Sequence, residues 1–100
     1  MTCKPYGTIA ITPGTPARIS TDPADIVASL LIQAAPTMTG SLIVKYQPEG
    51  SPLGTPIVIL SPGATWGPPS IGNDIQTSKY SLDATTGATG AAAIVTGWIG

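Results

Sequence analysis

The chain has no histidine, no phenylalanine and one cysteine, and only 9% of its 100 residues are charged. Each scarcity excludes something. Without histidine, the commonest general base for a serine or cysteine nucleophile is missing. Zinc sites draw on several Cys or His ligands; Cys3 alone supplies neither such a set nor an internal disulfide. The cations Lys4, Arg18, Lys45 and Lys79 form no cluster in the sequence. Neutralising a phosphate backbone takes several Lys or Arg on one face, so nucleic acid is not an expected partner. No apolar run reaches the roughly 18–20 residues of a membrane span, and Met1-Thr2-Cys3-Lys4-Pro5 lacks the apolar stretch of a signal peptide. No membrane partner is expected either. Asp22 with Asp25, and Asn73 with Asp74, read as turn residues rather than calcium ligands. All five acids are expected beside turns or on solvated strand faces. The chain is therefore expected not to be an enzyme, with no catalytic residue, no metal ligand and no cofactor.

What is present is Thr, Ser, Ala, Gly and Pro between short β-branched runs. The 12 Gly and 11 Pro are spread throughout, as in many short strands joined by turns. No domain boundary and no internal repeat is evident. A chain of this mass folded alone exposes roughly 5,000 Å². Its mean hydropathy of +0.29 is high for such a domain with so little charge, so other chains are expected to cover part of the apolar surface.

Gly7–Thr12 alternates with Ile9 and Ile11 on one face, the pattern of a half-buried strand. Pro13-Gly14 marks a turn, and Ala17–Ser20 a second short strand. Asp22-Pro23-Ala24-Asp25 has the residues of a helix start, and Ile26, Val27, Leu30, Leu31 and Ala34 share a helical face. A turn at Asp22–Asp25 followed by a strand over Val27–Ala34 is the competing reading, with Leu30 and Ile32 inward and Leu31 outward. Ser41–Tyr46 is a strand. Gln47–Thr55, rich in Pro and Gly, is a loop. Ile57-Val58-Ile59-Leu60 is apolar on both faces, as a strand covered on both sides is. Ser61-Pro62-Gly63 turns the chain into Ala64–Gly67. Lys79–Ala84 alternates with Tyr80 and Leu82 inward and Ser81 and Asp83 outward, and Ala91–Ile99 is a last strand. About eight strands with short turns predict an all-β fold, an antiparallel β-sandwich or small barrel of jelly-roll or Greek-key type. Residues 1–6 are expected as an extended N-terminal arm and residues 7–100 as a single β-sandwich domain.

The strand Thr15-Pro16-Ala17-Arg18-Ile19-Ser20 is followed by Leu31-Ile32-Gln33-Ala34, a turn ending in Thr39-Gly40, and Leu42-Ile43-Val44. Leu60-Ser61-Pro62-Gly63, Asn73-Asp74-Ile75 and Tyr80 come next. This succession resembles the small β-rich structural proteins of tailed bacteriophages, over most of the chain. Met38 stands where that family often carries Asn. The resemblance decides the Asp22–Ala34 segment in favour of turn and strand. It implies a virion component at the capsid surface, a decoration or cement protein that bridges neighbouring major capsid subunits and carries no catalytic residues. Self-association as a homotrimer or homodimer is expected with it. Outward apolar residues Leu31, Ile43 and Val58 are expected to feed the contacts, with Trp66 as anchor and Tyr6 contributed by the arm. The alternative is a tail- or fibre-associated module that recognises a host glycan or protein through Trp66, Trp98 and the Gln47–Thr55 loop.

Overall fold

The computed structural model describes residues 2–46, 54–69 and 74–99. Among them lie ten strands: β1 (Thr2–Ala10), β2 (Ala17–Arg18), β3 (Ile26–Val27), β4 (Ser29–Ala34), β5 (Leu42–Tyr46), β6 (Thr55–Leu60), β7 (Thr65–Trp66), β8 (Ile75–Gln76), β9 (Tyr80–Ala84) and β10 (Ala92–Ile99). A single 3-10 turn, Thr77–Lys79, separates β8 from β9. Two antiparallel four-stranded sheets, ordered β1-β10-β4-β7 and β2-β9-β5-β6, enclose the core, and β3 pairs with β8 as a small third sheet. Both large sheets keep free edges, so the fold is a sandwich and not a closed barrel. Leu30, Ile32, Leu42, Val44, Leu82 and Val95 form the centre of the core. The 5090 Å² of accessible surface is about what a compact monomer of this mass exposes.

The helix signal at Asp22 resolves into a turn. Asp22 Oδ1 accepts the Ala24 N–H at 2.9 Å, and its carbonyl accepts the Asp25 N–H at 3.0 Å. The same side chain that caps a helix thus closes an Asx turn, and the β-branched run beyond it finds partners in β8 and β10. Leu30 and Ile32 face inward and Leu31 outward, as expected.

Three expectations are revised. Thr2–Tyr6 is no separate arm: it is the first part of β1, with Thr2 opposite Ile99 and Lys4 opposite Gly97. Ser81 and Asp83 are buried, not outward on a solvated face. Their strand β9 is internal to its sheet, and Asp83 is closed over by Lys45 and by the backbone of Gly14. Finally, β6 is an edge strand with one uncovered face, so Ile57 and Ile59 lie exposed instead of between two layers.

The chain also contains a repeat that its sequence hides. Exchanging β1 with β6, β2 with β7, β3 with β8, β4 with β9 and β5 with β10 converts one large sheet into the other and the small sheet into itself. The irregularities coincide as well. Pro5 opposes Thr96 and Gly7 opposes Val95, skipping Tyr6; Pro56 opposes Lys45 and Val58 opposes Val44, skipping Ile57. The turns Thr12-Pro13-Gly14-Thr15 and Ser61-Pro62-Gly63-Ala64 both close by a backbone hydrogen bond, at 3.0 and 2.9 Å. Both place Gly at positive φ, +86° and +83°, after a Pro, the arrangement of a type II turn. The arches from β4 to β5 and from β9 to β10 carry Thr39-Gly40 and Thr89-Gly90 at matching places. There the two hydroxyls meet at 2.6 Å, and the Thr39 N–H donates to the Thr89 carbonyl at 3.0 Å. The exchange is its own inverse, so the pairing scheme has two-fold symmetry.

Gly40 is the tightest point of these arches. An added Cβ would sit 2.7 Å from Thr85 Oγ1 and 2.9 Å from the Ala88 Cβ, at φ +78°. At Gly90 the same atom meets only the Met38 Cα, at 4.0 Å. Gly40→Ala is expected to lose about 2–4 kcal/mol, combining left-handed backbone cost with overpacking. Gly90→Ala is expected to lose about 1–2 kcal/mol, the backbone cost alone. Urea denaturation of both variants measures the difference; equal losses would mean that the arch relaxes freely.

Candidate functional site

The described polar side chains gather at two buried carboxylates. Asp25, 6% exposed, sits where β1 crosses the small β3–β8 sheet. It accepts hydrogen bonds from Lys4 Nζ, from Tyr6 Oη at 2.5 Å and from Thr77 Oγ1. Its own backbone carbonyl accepts the Thr77 N–H at 3.1 Å. Tyr6 reaches the carboxylate because its bulge turns it inward, and its ring edge lies over Gly97, where a Cβ would come within 3.1 Å of it. Burial raises the Asp25 pKa, but the hydrogen bonds from Lys4, Thr77 and Tyr6, with the Lys4 charge, outweigh it and hold the group below the ordinary carboxylate range. Burial and the hydrogen bond to Asp25 push the Tyr6 hydroxyl up to about 12.

Asp83, also 6% exposed, accepts the Gly14 N–H at 2.9 Å, the Ala84 N–H at 2.7 Å and Lys45 Nζ at 3.0 Å. Burial raises its pKa, and these backbone and lysine donors more than reverse the shift, leaving it lowered. Gln33 occupies the matching place in the other half and donates to the Gly63 carbonyl at 3.3 Å. Each side chain thus pins the Pro-Gly turn of the opposite half, one as acceptor and the other as donor.

Both carboxylates are saturated by partners of the fold itself. No cavity opens and no group of three or more His, Cys, Asp or Glu converges among the described residues. Such clusters can hold strands together, and they present no reactive atom to a ligand.

The outward faces carry a different chemistry. On the β2-β9-β5-β6 sheet, exposed Ile59 (62%) lies beside half-buried Ile43, its cross-strand partner, with the bulged Ile57 (48%) near the same free edge. On the other sheet, Leu31 (41%) and Ile94 (38%) are exposed, with Leu31 opposite Thr96 and Ile94 opposite Gln33. Ile94 and Ile43 are counterparts in the two halves. Of the side chains expected at an interface, Leu31 and Ile43 therefore face outward. Val58 does not: it opposes Val44 and packs on the core. Trp66 opposes inward Ile32, packs on the core and stands 6.5 Å from the Tyr80 ring. Tyr6 belongs to the Asp25 cluster, and Cys3 is a free, exposed thiol opposite Trp98. Ile57, Ile59 and Ile94 also face outward, though the sequence does not single them out as interface residues. Their signal is the unbroken apolar run of β6, which reads as a strand covered on both sides, and the alternation of β10, which reads only as a last strand. Gln47–Leu53, most of the expected recognition loop, and Asn73 lie outside the described residues.

Comparison with known protein families, with curated proteins and with solved structures finds no match to this chain.

Proposed function

We propose that this protein is a non-catalytic virion structural protein that decorates or cements a bacteriophage capsid, bridging neighbouring major capsid subunits and associating with itself as a dimer or trimer. The observation that carries the assembly role is the apolar patch of Ile43, Ile57 and Ile59 at the free edge of a sheet. The phage setting rests on the strand and turn motifs described above. Burying an isoleucine side chain is worth about 1.5–3 kcal/mol, and weak contacts repeated around a symmetric shell sum through avidity. Low charge suits such contacts, since interface cores exclude charged groups. The glycan-binding alternative is less well supported, because Trp66 faces the core and leaves no paired indole platform.

The test is binding to isolated phage heads. The wild-type protein is expected to bind in saturable stoichiometry and raise the melting temperature of the heads. The double variant Ile57→Thr, Ile59→Thr keeps β propensity. It is expected to retain its own melting temperature while binding at least about tenfold more weakly. A protein that ignores heads and binds host cells or glycans would overturn the proposal, as would a solitary monomer that binds neither.

A further inference from the structure

We propose that the inner face of each half of this chain is a binding surface whose partner is the complementary half, supplied either by the same chain or by a second copy of it. Every strand pairing among the described residues joins one strand from β1–β5 to one from β6–β10: β1–β10, β10–β4, β4–β7, β2–β9, β9–β5, β5–β6 and β3–β8. None joins two strands of the same half. A half by itself therefore has no sheet in which to satisfy its backbone N–H and C=O groups. Its apolar side chains are equally dependent. Leu30, Ile32, Leu42 and Val44 come from one half and pack in one core with Ile75, Leu82 and Val95 from the other.

The fold is thus arranged as an intertwined two-fold dimer whose two subunits are joined end to end. The covalent joint is interchangeable with the chain ends. Tyr46 opposes Thr55 where the connection 47–54 leaves and returns. Thr2 opposes Ile99 at the matching corner of the other sheet, so the first and last described residues lie side by side. A half drawn from another molecule meets the same strand partners and the same buried donors. Asp83 still accepts from Gly14, and Asp25 still accepts from Thr77. Where two copies exchange halves reciprocally, every half has a partner and the assembly closes as a dimer.

The experiment starts from the full-length protein with a protease site inserted between Gly50 and Ser51, cut after folding. The two fragments are expected to co-elute one to one and to keep the far-ultraviolet dichroism of the uncut protein. Their melting temperature should rise with concentration more steeply than that of the uncut chain. Separated in denaturant and returned singly to buffer, each fragment is expected to stay unfolded. Mixing the N-terminal fragment of one preparation with the isotope-labelled C-terminal fragment of another is expected to restore the strand signal, showing partnership between molecules. Either fragment folding alone, or the cut fragments parting in native buffer, would overturn the proposal. Should the inserted site itself disturb folding, a circular permutant carries the same test. It begins at Ser51, with Gly100 joined to Met1 by a short Gly/Ser linker, and is expected to fold with the strand content and the oligomeric state of the uncut protein; an unfolded permutant would refute the interchangeable joint.

Discussion

Asp25→Ala is expected to lower folding stability by about 2–4 kcal/mol, because the Tyr6 and Thr77 hydroxyls lose a charged acceptor, whereas the Lys4 side chain, 43% exposed, turns to water. Three donors converge on this carboxylate from two separate parts of the fold, Lys4 and Tyr6 on β1 and Thr77 after β8. Alanine leaves the Tyr6 and Thr77 hydroxyls without their acceptor and removes the tie between β1 and the small sheet. For a domain of this size the melting temperature is expected to fall by at least about 8 °C. Acid provides the second readout. Both Asp25 and Asp83 have folded pKa values below the unfolded 3.8. In the unfolded chain these groups take up protons first as pH falls. Their stabilisation is therefore present above about pH 4 and lost as pH drops through the folded values. The wild-type melting temperature should decline below that point, and the decline should be shallower in Asp25→Ala. A variant as stable as wild type at neutral pH would show that the cluster contributes nothing net, a real outcome for some buried charges.

Ile32→Ala and Leu82→Ala are expected to cost about 3 kcal/mol each, within the range for buried aliphatic truncation. Both side chains are fully buried. They occupy matching places: Ile32 on β4 opposes Val95 of β10, and Leu82 on β9 opposes Val44 of β5. Two variants in different halves and different sheets should therefore lose similar stability with unchanged denaturant slope. Chemical denaturation measures both quantities. A loss at one site several-fold larger than at the other would mean that the core is not shared evenly by the two halves.

Local structure was largely legible because it depends on neighbours in the chain. Pro13-Gly14 and Pro62-Gly63 made turns, since Pro sets one backbone angle and Gly accepts the next. Alternation places Leu30, Ile32 and Leu82 inward, where they are buried. The repeat was not legible, because identity between the halves survives mainly where backbone geometry demands it, at Pro5 and Pro56, the two Pro-Gly turns and the two Thr-Gly steps. Between those points the spacing drifts by one or two residues, and unlike side chains do like work, as Gln33 and Asp83 show. The burial of Asp25 was hidden for a related reason. Its position just after a turn is what a solvated acid also has, and nothing near it announces Tyr6 and Thr77.

By itself, then, the amino-acid sequence determined the secondary structure class, the turns and which side of most strands is apolar, all properties of short stretches of backbone. Only the tertiary structure decided which strands became edges, which acids were enclosed, and that each half is completed by the other. Those outcomes depend on pairings between distant segments. Such pairings are set by the packing of the whole chain, so no local pattern of residues encodes them.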